Sequence, residues 1–181
     1  MVVATDHDDI AQVVSDLDLA KASVYRRSDK NAQDRSSTES VMLEYLAQAS
    51  LDDDDLFILA QATSPFTREA DFAAAMTMYV EQGHDSLLSV VRDKRFFWTE
   101  EGQPINYDPM HRPRRQDFDG QLMENGAFYI TRVGDLKRSK NRLSGKIGLY
   151  EMAAHTAVEL DEPEDWIIAE QLFENLKKKG L

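Results

Sequence analysis

Three arginines fall within four residues at Arg112, Arg114 and Arg115, in a chain of formal net charge -12. Like charges packed so closely repel, and a polyanionic ligand is the natural compensation. Guanidinium forks match phosphate and carboxylate oxygens two bonds at a time. Pro113 fixes one backbone torsion and stiffens the loop that presents them. A solvated basic loop is the competing reading, and the Asn125-Gly126-Ala127-Phe128-Tyr129 segment just downstream favours a site. Glu159 and Asp161 form a second pair of interest. They lie two residues apart, so on a strand they share one face, which suits a shared metal ion. Two exposed acids on an edge strand would read the same way.

The remaining candidates are weaker. His7 follows Thr5-Asp6 and is either a base at a strand tip or a loop residue, the latter being favoured. His84 and His155 stand alone, without a second histidine at ligand spacing, so no zinc site is assigned. Phe96-Phe97-Trp98 suits base stacking, internal packing or a dimer interface. Lys177-Lys178-Lys179 complements the end of the last helix and needs no ligand.

These groups must be held by an alternation of strands and helices. Val2 to Asp6 reads as a buried strand with a polar tip, followed by a helix from Asp8 to about Leu19. Ala22 to Tyr25 is a second strand, and Ser36, Ser37 or Thr38 caps the next helix. The run Asp52 to Asp55 reads as a solvated turn, because consecutive acids splay apart. Leu56 to Ala60 has the continuous apolar character of a central parallel strand, and a helix from Arg68 to Gln82 stops at Gly83. Strands follow at Ser86–Val91, Ala127–Thr131, Gly148–Met152 and Ala157–Leu160, with a turn-rich stretch over 92–124. Pro163 to Lys178 closes the chain as an amphipathic helix. This rhythm means an α/β three-layer domain. The polar tips Thr5-Asp6, Arg26-Arg27 and Gln61-Thr63 are expected at one sheet edge, where open α/β sheets bind ligands.

At 181 residues the chain suits a single domain, 1–181, with a real core. It contains no cysteine, which removes disulfides, thiolate metal sites and a cysteine nucleophile. No apolar stretch approaches the ~20 residues that cross a bilayer, and no signal peptide is visible, so an intracellular protein without membrane contact is expected. The acidic balance argues against a nucleic-acid-binding face.

The strings "ATDHDDIAQV", "YRRSDKNAQDRSST", "QATSPF", "HRPRRQDFDGQLMENGAFYI", "GKIGLYEM" and "VELDEPEDWIIAEQLF" resemble, in order, the motifs of the acylneuraminate cytidylyltransferases. The resemblance spans essentially the whole chain. It implies a Rossmann-like nucleotidyltransferase sheet with a small dimerisation subdomain, placed at roughly 95–150. It implies the reaction of CTP with a sialic (nonulosonic) acid to give CMP-sugar and pyrophosphate, with Mg2+ as cofactor. A homodimer or dimer of dimers is implied, in a cytoplasmic or, in a eukaryote, nuclear setting. The sugar among sialic, legionaminic and pseudaminic acids is not fixed, though the Arg-Pro-Arg-Arg-Gln motif most resembles sialic acid enzymes.

The same resemblance implies roles by position. Arg27, Ser36 and Thr38 match substrate-binding positions on the nucleotide side. Gln61 matches a sugar-contacting glutamine, and Asn125 and Tyr129 match positions near the sugar pocket. Arg112 matches an active-site arginine, with Arg115 and Gln116 alongside it. Leu149 and Tyr150 match an apolar pair lent to the partner's site. Glu159 and Asp161 match a metal-holding aspartate pair, with glutamate in the first place. Enzymes of this kind also begin with a strand and a glycine-rich, basic loop for the CTP phosphates, and this sequence has no such loop. An element ahead of Val2 is therefore expected, as is weak CTP binding by these 181 residues. A non-catalytic dimeric remnant that binds a sugar acid or acts as a scaffold is the alternative.

Overall fold

The structure, a computed structural model, describes residues 1–33 and 35–180. The chain divides into two compact units, Met1–Leu56 with Arg132–Ser144, and Phe57–Thr131 with Gly145–Leu181.

In the first unit, β1 (Val2–Thr5) and β2 (Ser23–Arg26) pair in parallel, in register from Val2 opposite Ser23 to Thr5 opposite Arg26. That register brings both polar tips together. Arg27 pairs with Asp6, and Arg26 with Asp8 at 2.7 Å. β1 is less buried than its apolar sequence suggests, and only Thr5 is fully buried, because a two-stranded sheet gives each strand one neighbour. Between them runs α1 (Asp8–Asp16), with Asp8 and Asp9 in its first turn, where acids suit the helix dipole. It stops short of the expected Leu19, at a turn in which Asp18 takes a φ of 44°.

Ser37 caps α2 (Thr38–Gln48), its side chain accepting from the Ser40 N–H at 3.2 Å. The acidic turn 52–55 does more than face solvent. The carbonyls of Asp55 and Asp53 each accept at 2.9 Å from the N–H groups of Val133 and Gly134, which open α4 (Val133–Ser139). Asp53 also pairs with Lys137 at 3.0 Å. Orphan donors at a helix N-terminus are thereby satisfied by the turn.

The second unit is built on a four-stranded sheet in the order β3 (Leu56–Ala60), β5 (Gln121–Arg132), β4 (Ser86–Asp93), β6 (Ile147–Met152). β4 runs antiparallel to β5 and parallel to β6. Every residue from Ser86 to Val91 is buried, which explains its nearly continuous apolar run. β3, expected at the centre, is an edge strand of this sheet and only partly buried. The helix α3 (Glu69–Glu81) buries Ala75 and Tyr79, and ends before Gly83, whose φ is +61°. α5 (Pro163–Lys178) matches its expected bounds and packs Ala169 and Leu176 on Phe66, with Val158, Leu160 and Leu172 around them.

One expectation needs correction. Residues 157–160 are not a strand, because a 3-10 turn at Ala154–Ala157 is followed by an extended segment. That segment is held by one backbone bond, Leu160 N–H to the Thr63 carbonyl at 2.8 Å. β5 and β6 lie in the same sheet as β4, and Arg132–Ser144 belongs to the first unit.

Candidate active site

The centre of the second unit is a large bulge in β5. Leu88 faces Tyr129 and Val90 faces Glu124, so two steps along β4 are matched by five along β5. The surplus chain is Asn125-Gly126-Ala127-Phe128, and Gly126 takes a φ of +66°, a conformation that glycine adopts without penalty. The backbone groups freed from the ladder find partners. Phe128 N–H donates to Ser89 Oγ at 3.0 Å, and the Ala127 carbonyl accepts from Gln61 N–H at 3.1 Å. Phe128 is fully buried, its ring 4.8 Å from Phe72 and 5.9 Å from Tyr150. Truncating such a residue to alanine costs about 3–5 kcal/mol, so the bulge is anchored in the core.

The bulge gathers three of the expected residues. A Cβ added at Gly126 would lie 2.7 Å from Glu159 Oε1 and 3.0 Å from Gln61 Oε1. Both side chains therefore end at the glycine backbone. Asn125 is 1% exposed. Its Nδ2 donates to the Thr156 carbonyl at 3.3 Å and to Thr156 Oγ1 at 3.1 Å. Asn125 thus ties down the turn that launches Glu159, while its Oδ1 has no hydrogen-bond partner. Tyr129 is also buried, and its hydroxyl donates to Glu124.

Glu159 and Asp161 do not share a strand face, because no strand forms there. They are nevertheless coupled. Burial first, then the charge of Asp161, a hydrogen bond with Asp161 and the charge of Glu124 hold the Glu159 carboxyl above its usual range. The Asp161 backbone is fixed by α5, since its N–H and that of Glu162 donate to Asp165 Oδ2 at 3.0 and 2.8 Å. Among the described residues no group of three or more His, Asp or Glu is gathered for a metal. Two crowded carboxylates, of which Glu159 is held above its usual range, do fit a magnesium ion, which takes one or two protein carboxylates and fills its other positions with phosphate oxygens and water.

The arginine motif lies in the stretch between β4 and β5. Phe96 packs on Tyr107 and Phe118 at 4.3 and 5.0 Å, so the aromatic stripe makes an internal cluster. The Arg112 guanidinium stacks 4.8 Å from the Phe96 ring centroid. Arg114 pairs with Asp117 at 2.5 Å, and the turn Arg115–Asp117 leaves Arg115 and Gln116 exposed. Among the described residues, Arg112, Arg115 and Gln116 make no hydrogen bond or ion pair with Gln61, Asn125, Glu159 or Asp161. Tyr150, expected to serve a partner's site, is engaged within its own unit. Its hydroxyl donates to Asp71 Oδ1 at 3.3 Å, and burial raises its pKa. Leu149 beside it is 44% exposed.

In the first unit, Arg27 is held by Asp6, and Ser36 Oγ donates to the Lys30 carbonyl at 3.0 Å. Thr38 opens α2. The loop carrying them rests on a residue that the motifs do not reveal. Glu44 accepts from Asn31 Nδ2, from Ser28 N–H and Oγ at 2.8 Å each, and from Tyr25 Oη at 2.8 Å. With Asn31 the largest influence, these donors hold Glu44 down to about 2.

A mixed four-stranded sheet with flanking helices, carrying a carboxylate–amide cluster at a strand bulge, defines an α/β protein with a polar site at its sheet. The family described as "Cytidylyltransferase" matches residues 1–179, and the chain belongs to it. It is 40% identical over 177 residues to an N-acylneuraminate cytidylyltransferase of Oncorhynchus mykiss, covering 93% of this chain and 39% of that protein. A Danio rerio N-acylneuraminate cytidylyltransferase A is 37% identical, with 93% and 40% covered. The chain therefore spans about two-fifths of the length of these relatives. Among solved structures, a CMP:2-keto-3-deoxy-manno-octonic acid synthetase complexed with CTP superposes with a TM-score of 0.65 at 16% identity, covering 96% of this chain and 80% of that one. A 4-diphosphocytidyl-2C-methyl-D-erythritol synthase from Anaerococcus prevotii gives 0.63 at 13% identity, with 96% and 77% covered. These neighbours bear out the Rossmann-like nucleotidyltransferase fold. No helix among the described residues is long and apolar enough to cross a membrane.

Proposed function

We propose that this chain carries the sugar-acid and metal part of an enzyme that transfers CMP from CTP to a sialic or related nonulosonic acid. The observation that carries the reading is the convergence of Gln61 and Glu159 on the Gly126 bulge, in a chain of this family. The anomeric hydroxyl oxygen of the sugar bonds to the α-phosphorus as its proton passes to solvent, the bond from the α-phosphorus to the α–β bridging oxygen breaks, and pyrophosphate leaves. Charge in such transfers spreads over the phosphoryl oxygens, so positioning and electrostatic stabilisation do most of the catalysis. Gln61 orients the sugar acid, and Tyr129 with Asn125 keeps that wall rigid. Arg112 and Arg115, exposed and without ion pairs among the described residues, offer fixed positive charge to carboxylate or phosphate, with Gln116 beside them. Arg27, Ser36 and Thr38 contact the nucleotide. Glu159 and Asp161 would hold Mg2+, which when bound supplies charge to the phosphate oxygens. The reading includes a homodimer in which exposed Leu149 meets the partner.

Titration of the chain with N-acetylneuraminic acid, by calorimetry in the presence of Mg2+, tests the sugar-acid assignment. Saturable binding is expected, and Gln61→Ala should weaken it about tenfold, the scale of one lost hydrogen bond to a charged ligand. Equal binding by both proteins would remove Gln61 from the site.

A further inference from the structure

Gly126 is packed against the ends of two side chains, Glu159 and Gln61, whereas at Gly145 and Gly148 the nearest atoms belong to a single residue. Added Cβ atoms at Gly120, Gly145 and Gly148 would strike the Asp93 carbonyl, the Asp85 side chain and the His84 ring. At Gly126 the first atoms met are the free ends of Glu159, at 2.7 Å, and Gln61, at 3.0 Å. A methyl group there is accommodated by moving those two ends, not by moving the backbone. They reach it from separate segments, the loop after β3 and the segment before α5. The preceding residue, Asn125, anchors Thr156 and so sets the course of the chain toward Glu159.

We propose that Gly126 is a positioning residue, whose missing side chain fixes where the Gln61 amide oxygen and the Glu159 carboxylate come together. This rests on the sugar-acid cytidylyltransferase reading given above. Since a displacement of about 1 Å at a reacting centre can cost on the order of 100-fold, the identity of residue 126 sets turnover beyond the backbone strain that any side chain meets at its φ of +66°. The bulge serves both ends at once, because the positive φ that lets Gly126 turn also faces its bare Cα to the two oxygens.

The test is steady-state turnover of CTP and N-acetylneuraminic acid with Mg2+, comparing the wild-type chain with Gly126→Ala and Gly102→Ala. Gly102 has a φ of +77° and nothing within 4 Å of an added Cβ, so it reports the backbone penalty alone. Gly126→Ala should lower kcat roughly 10- to 100-fold and raise KM for the sugar acid more than KM for CTP. Its Tm should move only as far as that of Gly102→Ala. Adding Glu159→Asp, one methylene shorter, should restore part of the lost kcat. An activity loss no greater than for Gly102→Ala would overturn the proposal, as would a Tm collapse that carries both KM values with it, or a double variant no better than the single. If the wild-type chain is inactive but binds N-acetylneuraminic acid, the same comparison is read in Kd; failure to bind as well overturns the functional reading, and this inference with it.

Discussion

Replacing Glu159 with glutamine is expected to stabilise the protein while disabling it. The Glu159 carboxyl is pushed above its usual range by burial, by Asp161 and by Glu124. The folded state therefore holds this proton more tightly than the unfolded chain does. The stability that Glu159 contributes is fully present below its unfolded pKa of about 4.5, and it is lost as pH rises through the higher folded value. At pH 7.5 without a divalent cation, the ionised carboxylate is thus a cost. A partly screened like-charge pair of this kind is worth about 1 kcal/mol at most. For a chain of this length 1 kcal/mol corresponds to roughly 2–4 °C in Tm. Thermal unfolding should then show Glu159→Gln a few degrees above wild type at pH 7.5 and level with it near pH 4. Millimolar Mg2+ should close the gap by raising the wild type, since a ligand that binds the folded state stabilises it. A variant less stable than wild type at pH 7.5, or one that gains as much from Mg2+, would refute the reasoning.

Glu44 should behave in the opposite sense. Held at about 2 by Asn31, Ser28 and Tyr25, it contributes stability that is present above the ordinary glutamate range and lost as pH falls toward 2. Glu44→Gln should flatten that acid limb in a circular-dichroism titration and speed amide exchange at Ser28 and Asn31. Arg112→Lys keeps the charge but loses the planar fork and much of the stacking on Phe96, 4.8 Å away. CMP-sugar formation should fall at least tenfold, with a stability change of no more than about 1 kcal/mol.

The helices and the buried strand β4 were legible because their signals are local. Pro163 at the first turn and the 3.6-residue pattern mark α5, and an apolar run marks Ser86 to Val91. The strand expected over Ala157–Leu160 failed because its apolar residues pack against Phe66 and α5, with no neighbouring strand to pair with. β3 failed as a central strand because an apolar run says nothing of the order of strands, and at the edge of its sheet it is only partly buried. The Asn-Gly step was visible as a motif, and an isolated glycine in a strand pattern is the signature of a bulge. What it brings together was not visible, since Gln61 and Glu159 lie 65 positions earlier and 33 later. Glu44 left no signal at all, because a carboxylate on a helix gains meaning only from the loop folded onto it.

The most direct measurement of the central claim is product analysis after incubating the chain with CTP, N-acetylneuraminic acid and Mg2+. CMP-sugar and pyrophosphate are expected in equal amounts, and neither is expected from the Glu159→Gln variant. No CMP-sugar at saturating CTP, together with no binding of the sugar acid, would contradict it.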